Sequence, residues 1–221
     1  MSNSLSSAWK PRAVLFDFDG TLADSYPAIT AGVNYVRDRA GLSPLSVEEV
    51  RPHVGHGPEH LLEQTVPGCN PIEAGRMYRT HHPSVMHQLT SLMPGAREAL
   101  TALHAASVQV GVCSNKPKRF TLELLESLQL RSLMSVIIGP EDVTHPKPAA
   151  DMLLLALQQL QRKASEVVYI GDMTIDIRTA RAADVRVFIV PTGSDSVATL
   201  KAAHPDRLLT SLAELPGLLL G

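Results

Sequence analysis

Val14-Leu15-Phe16-Asp17-Phe18-Asp19-Gly20-Thr21-Leu22 is the stretch that decides the fold. It is a short apolar run, typical of a buried strand, that stops at two carboxylates one residue apart. Because open α/β sheets bind ligands at the carboxyl ends of their strands, Asp17 and Asp19 are predicted at a ligand-binding edge. The following Gly20 lets a ligand approach the backbone closely, which suits cation and phosphate chemistry. The alternative is a strand that ends in an ordinary Asp-Gly turn.

The alternation of apolar segments along the chain predicts an α/β fold. Five short segments rich in β-branched residues are predicted as strands: 12–17, 108–113, 134–138, 167–171 and 185–190. Apolar positions at helical spacing predict helices over 95–106, 118–129 and 149–162. A helix, a short strand near 207–209 and a last helix are expected in 196–219. Strands that alternate with helices indicate a doubly wound, mainly parallel sheet with right-handed crossovers.

The interval 24–90 does not continue this alternation. It is too long for one crossover connection. Its pattern predicts helices over 26–40, 46–51, 57–65 and 71–89, with glycine and proline residues at the breaks. We therefore predict an α/β core formed by 1–23 and 91–221, into which an all-helical cap, residues 24–90, is inserted where it can cover the site.

Composition and charge exclude several classes of protein. A formal net charge of −2 gives no reason to expect nucleic acid or an anionic membrane as a partner. No apolar run is long enough to span a bilayer, and the serine-rich residues 1–10 lack the apolar segment of a signal peptide. The only cysteines, Cys69 and Cys113, have no metal-ligand spacing. These features predict a cytoplasmic protein.

Polar clusters follow the predicted strands or open the predicted helices. Asp17 and Asp19 end the first strand, Ser114-Asn115-Lys116 follows the second, and Lys147 precedes the helix at 149. Asp172 and Asp176 follow the strand at 167–171. If the strands are parallel, all these groups meet at one edge of the sheet.

The chemistry of this set points to phosphoryl transfer. Four carboxylates close together repel one another unless a cation intervenes, and oxygen ligands beside a phosphate suit Mg²⁺. Lys147 would place its charge against phosphate, while Ser114 and Asn115 would donate hydrogen bonds to it. An ionised Asp as nucleophile and a second Asp as proton carrier would complete a reaction through an aspartyl phosphate.

Taken together, these motifs resemble those of the haloacid dehalogenase-like hydrolases. Asp-Phe-Asp-Gly-Thr-Leu, the pair Ser114-Asn115, the pair Lys147-Pro148 and Gly-Asp-x-x-x-Asp occur in the family's order across residues 12–190. Helical material between the first two motifs is similar to the branch that carries a helical cap there. Within that branch, Val54-Gly55-His56-Gly57, Pro94-Gly95-Ala96 and Glu141-Asp142-Val143 resemble phosphoglycolate phosphatases.

The resemblance implies a role for each matching residue. Asp17 would be the nucleophile, and Asp19 would protonate the leaving oxygen and later deprotonate water. Mg²⁺ would be held by Asp17, the backbone carbonyl of Asp19 and Asp172, with Asp176 acting through water or by orienting its neighbours. The substrate's phosphate would be bound by Ser114, Asn115, Lys147, Gly20 and Thr21, with His56 reaching in from the cap.

Two of these residues keep structural alternatives. Ser114 is also a candidate helix N-cap, and Asp176 is as well explained as an acid in the first turn of a helix. His53, His56 and His60 form a cluster in which His56 and His60 have the one-turn spacing of a helical zinc pair. No third ligand completes a site nearby, and glycine and proline interrupt the segment, so solvated or substrate-facing histidines are favoured.

The predicted function is Mg²⁺-dependent hydrolysis of a small phosphorylated metabolite, with 2-phosphoglycolate as first candidate, by a monomer or homodimer. A sugar phosphomutase of the same family is the alternative, but Ile29 stands where such mutases tend to carry a histidine. A broad sugar-phosphate or nucleotide phosphatase stays open, and a non-catalytic binding protein is disfavoured by the intact acids. Five arginines of the cap are available for a substrate carboxylate: Arg37, Arg39, Arg51, Arg76 and Arg79.

Overall fold

A computed structural model describes residues 9–221 and contains a six-stranded parallel sheet. Most of the serine-rich start of the chain lies outside the described residues. The sheet strands are β1 (Ala13–Phe16), β4 (Gln109–Cys113), β5 (Met134–Ile138), β6 (Val167–Gly171), β7 (Arg186–Ile189) and β8 (Arg207–Leu208). They run in the order β5-β4-β1-β6-β7-β8, and every neighbouring pair is parallel. The predicted doubly wound, mainly parallel sheet is confirmed.

The central strand β1 is buried on both faces. Val14 and Phe16 pack into one apolar cluster, and Ala13 and Leu15 pack into the other, as the two-residue period of a strand requires. Helices α6 (Ala96–Ala105), α7 (Lys118–Ser127) and α11 (Leu215–Leu219) cover the first face. Helices α8 (Asp151–Leu160), α9 (Thr174–Ala182) and α10 (Val197–Ala202) cover the second. Burial of each large side chain of β1 contributes about 1.5–3 kcal/mol.

Between β1 and β4 the chain is mostly helical. The helices are α1 (Tyr26–Arg39), α2 (Val47–Val50), α3 (Pro58–Thr65), α4 (Pro71–His81) and α5 (Pro83–Leu89). A two-residue antiparallel pair, β2 (Ala23–Asp24) with β3 (Ser91–Leu92), joins the start of this segment to its end. The sequence pattern did not predict this pair, because two residues are too few to show a period. No helix within residues 9–221 is long and apolar enough to cross a membrane.

The prediction of one helix over 71–89 was wrong. The structure has two helices, α4 and α5, with His82 between them. Pro83 has no N–H to donate, and its ring crowds the preceding turn, so the helical hydrogen-bond ladder is interrupted there. The break turns the His82 side chain inward, where it stacks on Tyr78 and tilts against Phe120 of α7.

His82 is fully buried, and within residues 9–221 neither of its ring nitrogens has a hydrogen-bond partner. Burial first, and the nearby Lys116 second, lower the pKa of His82 to about 3. The native protein therefore keeps this imidazole neutral under mildly acidic conditions in which the unfolded chain, with a pKa near 6.5, takes up a proton. Stability contributed by neutral His82 is present above about pH 6.5 and is lost as the pH falls towards 3.

We expect His82→Leu to reduce the acid sensitivity of the fold. Between pH 6.5 and 4, one proton bound only by the unfolded chain lowers the free energy of unfolding by up to about 1.4 kcal/mol per pH unit. Urea unfolding at several pH values should show wild type losing stability on that slope relative to the variant. His104→Leu, at an exposed position of α6, is the matched control. Parallel pH curves for wild type and His82→Leu would contradict the prediction.

Candidate active site

The carboxyl ends of β1, β4 and β6 meet at one edge of the sheet. Phe16 is in register with Val112 on one side and with Ile170 on the other. Asp17, one residue further on, donates its backbone N–H to the carbonyl oxygen of Ile170 at 2.8 Å. Because the strands are parallel, the residues that follow them project to the same side, as the sequence pattern predicted.

A buried carboxylate cluster lies at this edge. Carboxylate oxygens of Asp17, Asp172 and Asp176 lie within 4.8 Å of one another. The ammonium of Lys147 is 2.8 Å from Asp17 Oδ2 and 2.8 Å from Asp176 Oδ1. All four side chains are almost completely removed from solvent. Three carboxylates thus face one ammonium, which leaves two formal negative charges uncompensated.

The protonation behaviour of the cluster follows from this imbalance. Burial, together with the neighbouring carboxylates of Asp176 and Asp17, raises the pKa of Asp172 well above its usual range. Burial alone would lower the pKa of Lys147, but Asp17 and Asp176 outweigh burial and raise it. A divalent cation bound by oxygen ligands would neutralise the two remaining charges, so the donor set fits Mg²⁺.

Neighbouring groups orient all three carboxylates. The backbone N–H of Phe18 donates to Asp17 Oδ1 at 2.7 Å. Thr21 Oγ1 donates to Asp172 Oδ1 at 2.7 Å. Asp176 Oδ2 accepts from the backbone N–H groups of Asp172 at 3.1 Å and Met173 at 3.0 Å, in the first turn of α9. Asp176 therefore accepts hydrogen bonds from backbone N–H groups at the start of α9, as expected of an acid in the first turn of a helix, and it also contacts Lys147. Thr21 was predicted to bind the substrate's phosphate, but in the structure its hydroxyl donates to Asp172.

Gly20 forms the turn that brings Thr21 under Asp172. Its φ of +81° lies in the left-handed region that side chains disfavour. A Cβ placed on Gly20 would lie 2.2 Å from Asp172 Oδ2 and 2.7 Å from Tyr26 Oη. The backbone therefore passes too close to the carboxylate cluster for any larger residue.

Gly20→Ala is expected to lower the free energy of unfolding by about 1–3 kcal/mol for backbone strain alone, and to displace Asp172 as well. The matched control is Gly41→Ala, whose φ is +70° but whose Cβ would have no atom within 4 Å. Chemical unfolding and a Mg²⁺ titration of both variants separate the two effects. Equal losses of stability and equal Mg²⁺ binding in both variants would contradict this account.

Asp19 turns away from the carboxylate cluster. Its two carboxylate oxygens lie 3.0 and 3.3 Å from the ammonium of Lys116, whose side chain is 3% exposed. The Asp19 side chain therefore does not join the three clustered carboxylates, which is compatible with the expectation that only its backbone carbonyl would face a metal. Lys116 belongs to the cluster that the sequence analysis noted, but no role was predicted for it.

Ser114 and Asn115 follow β4 at the same edge. Ser114 Oγ accepts the backbone N–H of Lys116 at 3.3 Å, and it does not cap α7, which begins four residues later. Asn115 Nδ2 donates to the carbonyl oxygens of Gly55 at 2.9 Å and Lys147 at 3.1 Å, and its Oδ1 accepts from Lys147 N. The Asn115 amide was predicted to donate to the substrate's phosphate. In the structure it instead forms hydrogen bonds with the backbone of Lys147 and of Gly55.

Residues 24–90 contribute to the site mainly through backbone and apolar groups. A cavity of about 550 Å³, including its open mouth, extends from Asp17 to this segment. His56 does not line it, although Gly55 and Gly57 do; its exposed ring instead packs edge-on against His60. None of the five arginines considered for a substrate carboxylate lines the cavity either.

Tyr169 is a site residue that the sequence analysis missed. It lies on the fully buried strand β6, and its hydroxyl is 2.8 Å from the carbonyl oxygen of Cys113. The same hydroxyl is 3.2 Å from Lys147 Nζ and 3.2 Å from Asp176 Oδ1. A tyrosine in an otherwise aliphatic buried strand needs a partner for its hydroxyl, and this signal was available in the sequence.

Comparisons with known proteins agree with this arrangement. Residues 14–190 match the model of a family described as haloacid dehalogenase-like hydrolase. Two similar proteins, both named phosphoglycolate phosphatase, come from Pseudomonas fluorescens and Chromobacterium violaceum, and each is 32% identical to this chain. The matches cover 95% and 92% of this chain and 80% and 94% of those proteins.

The fold is also similar to solved structures. A protein described as a haloacid dehalogenase-like hydrolase from Bacteroides fragilis is 31% identical, with a TM-score of 0.87 over 93% of this chain and 100% of the other. A chain from Haemophilus somnus has the same TM-score at 21% identity over 94% and 97% of the two chains, which shows a shared fold.

Proposed function

The chain belongs to the haloacid dehalogenase-like hydrolase family, as a hydrolase of the phosphatase class, and we propose that it is a Mg²⁺-dependent phosphomonoesterase for a small phosphorylated metabolite. The first candidate substrate is 2-phosphoglycolate. The observation that carries the proposal is that Asp17 and Lys147 line a cavity and contact each other beside Asp172 and Asp176. A nucleophile, a cation for phosphate and a set of oxygen ligands stand together there.

In this proposal the metal is held by Asp17, Asp172 and the backbone carbonyl of Asp19, with Asp176 orienting its neighbours. When bound, Mg²⁺ supplies Lewis-acid polarisation of the phosphoryl oxygens. Lys147, whose ammonium lies 2.8 Å from Asp17 Oδ2, adds a second positive charge beside the phosphoryl group. Ser114 Oγ and the backbone N–H of Asn115 donate hydrogen bonds to the phosphoryl group.

Asp17 and Asp19 carry the two half-reactions. A carboxylate oxygen of Asp17 forms a bond to phosphorus while the bond from phosphorus to the ester oxygen breaks, and protonated Asp19 transfers its proton to that oxygen. Ionised Asp19 then takes a proton from water, whose oxygen bonds to phosphorus as the bond to Asp17 breaks. Phosphate and free Asp17 are the products, and the proton returns to Asp19.

The geometry favours hydrolysis over the alternative mutase reaction. Ile29, which stands where the mutases tend to carry a histidine, lines the cavity with a hydrocarbon side chain that cannot transfer a proton. The names of the two curated relatives favour phosphoglycolate as the substrate. A cytoplasmic setting and a monomeric or homodimeric state stay predictions.

The test is phosphate release, with and without Mg²⁺, from 2-phosphoglycolate, sugar phosphates, nucleoside monophosphates and pyrophosphate. We expect Mg²⁺-dependent release with a clear preference for 2-phosphoglycolate. Asp172→Asn should abolish the response to Mg²⁺, while Asp38→Asn, at an exposed position of α1, should not change it. Broad, weak hydrolysis would keep the mechanism and reject the substrate, and no release from any compound would favour a mutase or a binding protein.

A further inference from the structure

Lys116 is a nearly buried cation at the cavity that the phosphate chemistry does not use. Among residues 9–221, it and Lys147 are the two basic side chains that line the cavity. Lys147 is engaged by Asp17 and Asp176, whereas Lys116 contacts Asp19 alone among acidic groups. A buried ammonium costs solvation free energy, and Asp19 is the one residue within 9–221 that accepts a hydrogen bond from Lys116 Nζ, so donor capacity remains for an anion in the cavity.

The position of Lys116 relative to the reaction follows from its partner. Asp19 must reach the ester oxygen in order to protonate it, and Lys116 Nζ lies 3.0 Å from Asp19 Oδ1. A group attached a few bonds beyond the ester oxygen is therefore within reach of Lys116. In 2-phosphoglycolate the carboxylate begins two bonds beyond that oxygen. An ammonium has three donor hydrogens, so Lys116 is able to contact Asp19 and a second carboxylate together.

The rest of the cavity offers little to a polyhydroxy substrate. Much of its remaining lining is hydrocarbon and aromatic, formed by Ile29, Val54, Leu61, Phe120 and Met173. Sugar hydroxyl groups would lose their hydrogen bonds to water there without replacement. Tyr78 is the exception: within residues 9–221 its hydroxyl forms no hydrogen bond, and proximity to Asp19 adds to burial in raising the pKa of Tyr78.

The placement of Tyr78 is itself tight. A Cβ on Gly32 of α1 would lie 2.5 Å from the Tyr78 ring, so only glycine lets α1 and this ring approach so closely. His82 also stacks on the Tyr78 ring, with ring centroids 4.8 Å apart. The hydroxyl is therefore carried by a ring with little freedom to move, which favours a fixed contact with a ligand.

We propose that Lys116, assisted by the Tyr78 hydroxyl, binds the carboxylate of a short phosphorylated acid and thereby selects acidic substrates. This inference rests on the proposed phosphatase function and deepens it by naming the residues that read the substrate. Loss of a charged hydrogen bond of this kind should lower kcat/KM for the acidic substrate by about 10- to 100-fold. The selectivity is thus a property of the loop after β4 and of α4, and not of the arginines of residues 24–90.

The test compares 2-phosphoglycolate with 2-hydroxyethyl phosphate, which replaces the carboxylate by a neutral alcohol. Wild type should prefer the acid, and Lys116→Met should reduce the ratio of the two kcat/KM values by about 10- to 100-fold. The ratio is the correct measure because losing the contact to Asp19 affects both substrates alike. Tyr78→Phe should reduce the same ratio by a smaller factor. The control is Lys118→Met on α7, a half-buried lysine that pairs with Asp142 and does not line the cavity, and it should leave the ratio unchanged.

A binding measurement gives a second readout that does not depend on turnover. The affinity of 3-phosphonopropionate, in which CH₂ replaces the ester oxygen, should fall at least about 10-fold in Lys116→Met, and that of propylphosphonate should not. An unchanged substrate ratio and unchanged binding in Lys116→Met would overturn the inference while the phosphatase function stands. Absence of hydrolysis by wild type on both phosphates would instead overturn the proposed function.

Discussion

Asp17→Asn is expected to lower kcat for phosphate release by at least about 10,000-fold, which corresponds to about 5 kcal/mol in the activation free energy. An amide oxygen is a poor nucleophile, and the variant is unable to form the acyl phosphate. The fold should be preserved, because an Asn side chain can still accept a hydrogen bond from Lys147. Removing one of three clustered carboxylates also relieves repulsion, so the free energy of unfolding without metal should not fall.

The measurement has two parts. Phosphate release under saturating Mg²⁺ gives the rate, and acid quenching after mixing with labelled substrate detects protein-bound phosphate in wild type and not in the variant. Urea unfolding confirms that the variant is folded. Asp38→Asn, a surface position that is 85% exposed in its side chain, controls for the chemical change itself. Substantial hydrolysis by folded Asp17→Asn would rule out the covalent mechanism.

Lys147→Met should have the largest effect on stability. The Lys147 side chain is 1% exposed and its ammonium contacts two carboxylates. The substitution therefore leaves Asp17, Asp172 and Asp176 buried without a positive partner. Breaking a buried pair from one side typically costs about 3–5 kcal/mol. We expect a loss of that size in the free energy of unfolding measured without divalent metal, together with loss of phosphatase activity.

Two further measurements separate charge from packing. Adding Mg²⁺ should recover part of the lost stability, because a divalent cation replaces positive charge among the same carboxylates. The double variant with Asp176→Asn should be more stable than Lys147→Met alone. Lys201→Met, at an exposed position of α10, should change stability by less than about 0.5 kcal/mol. If Lys147→Met unfolds like wild type without metal, the account of the cluster is incorrect.

The fold and part of the site were readable in the sequence because their signals are local. The four apolar residues of β1, all buried, are recognisable as a strand from their composition, and the acids follow them directly in the chain. Parallel strands place their carboxyl ends together, so the convergence of Asp17, Ser114 and Asp172 followed from topology alone. The residue roles taken from the family resemblance stay predictions.

The sequence alone determined the parallel sheet, the helical interval before β4 and the edge at which the acids meet, because periodicity and strand direction are properties of short segments. Tertiary structure decided which way the loop side chains point. Lys116 meets Asp19 across 97 residues of sequence, and Asn115 reaches back to Gly55 across 60, so no local pattern records either contact. Such pairings depend on how complete elements pack, and they are the contacts on which the choice of substrate depends.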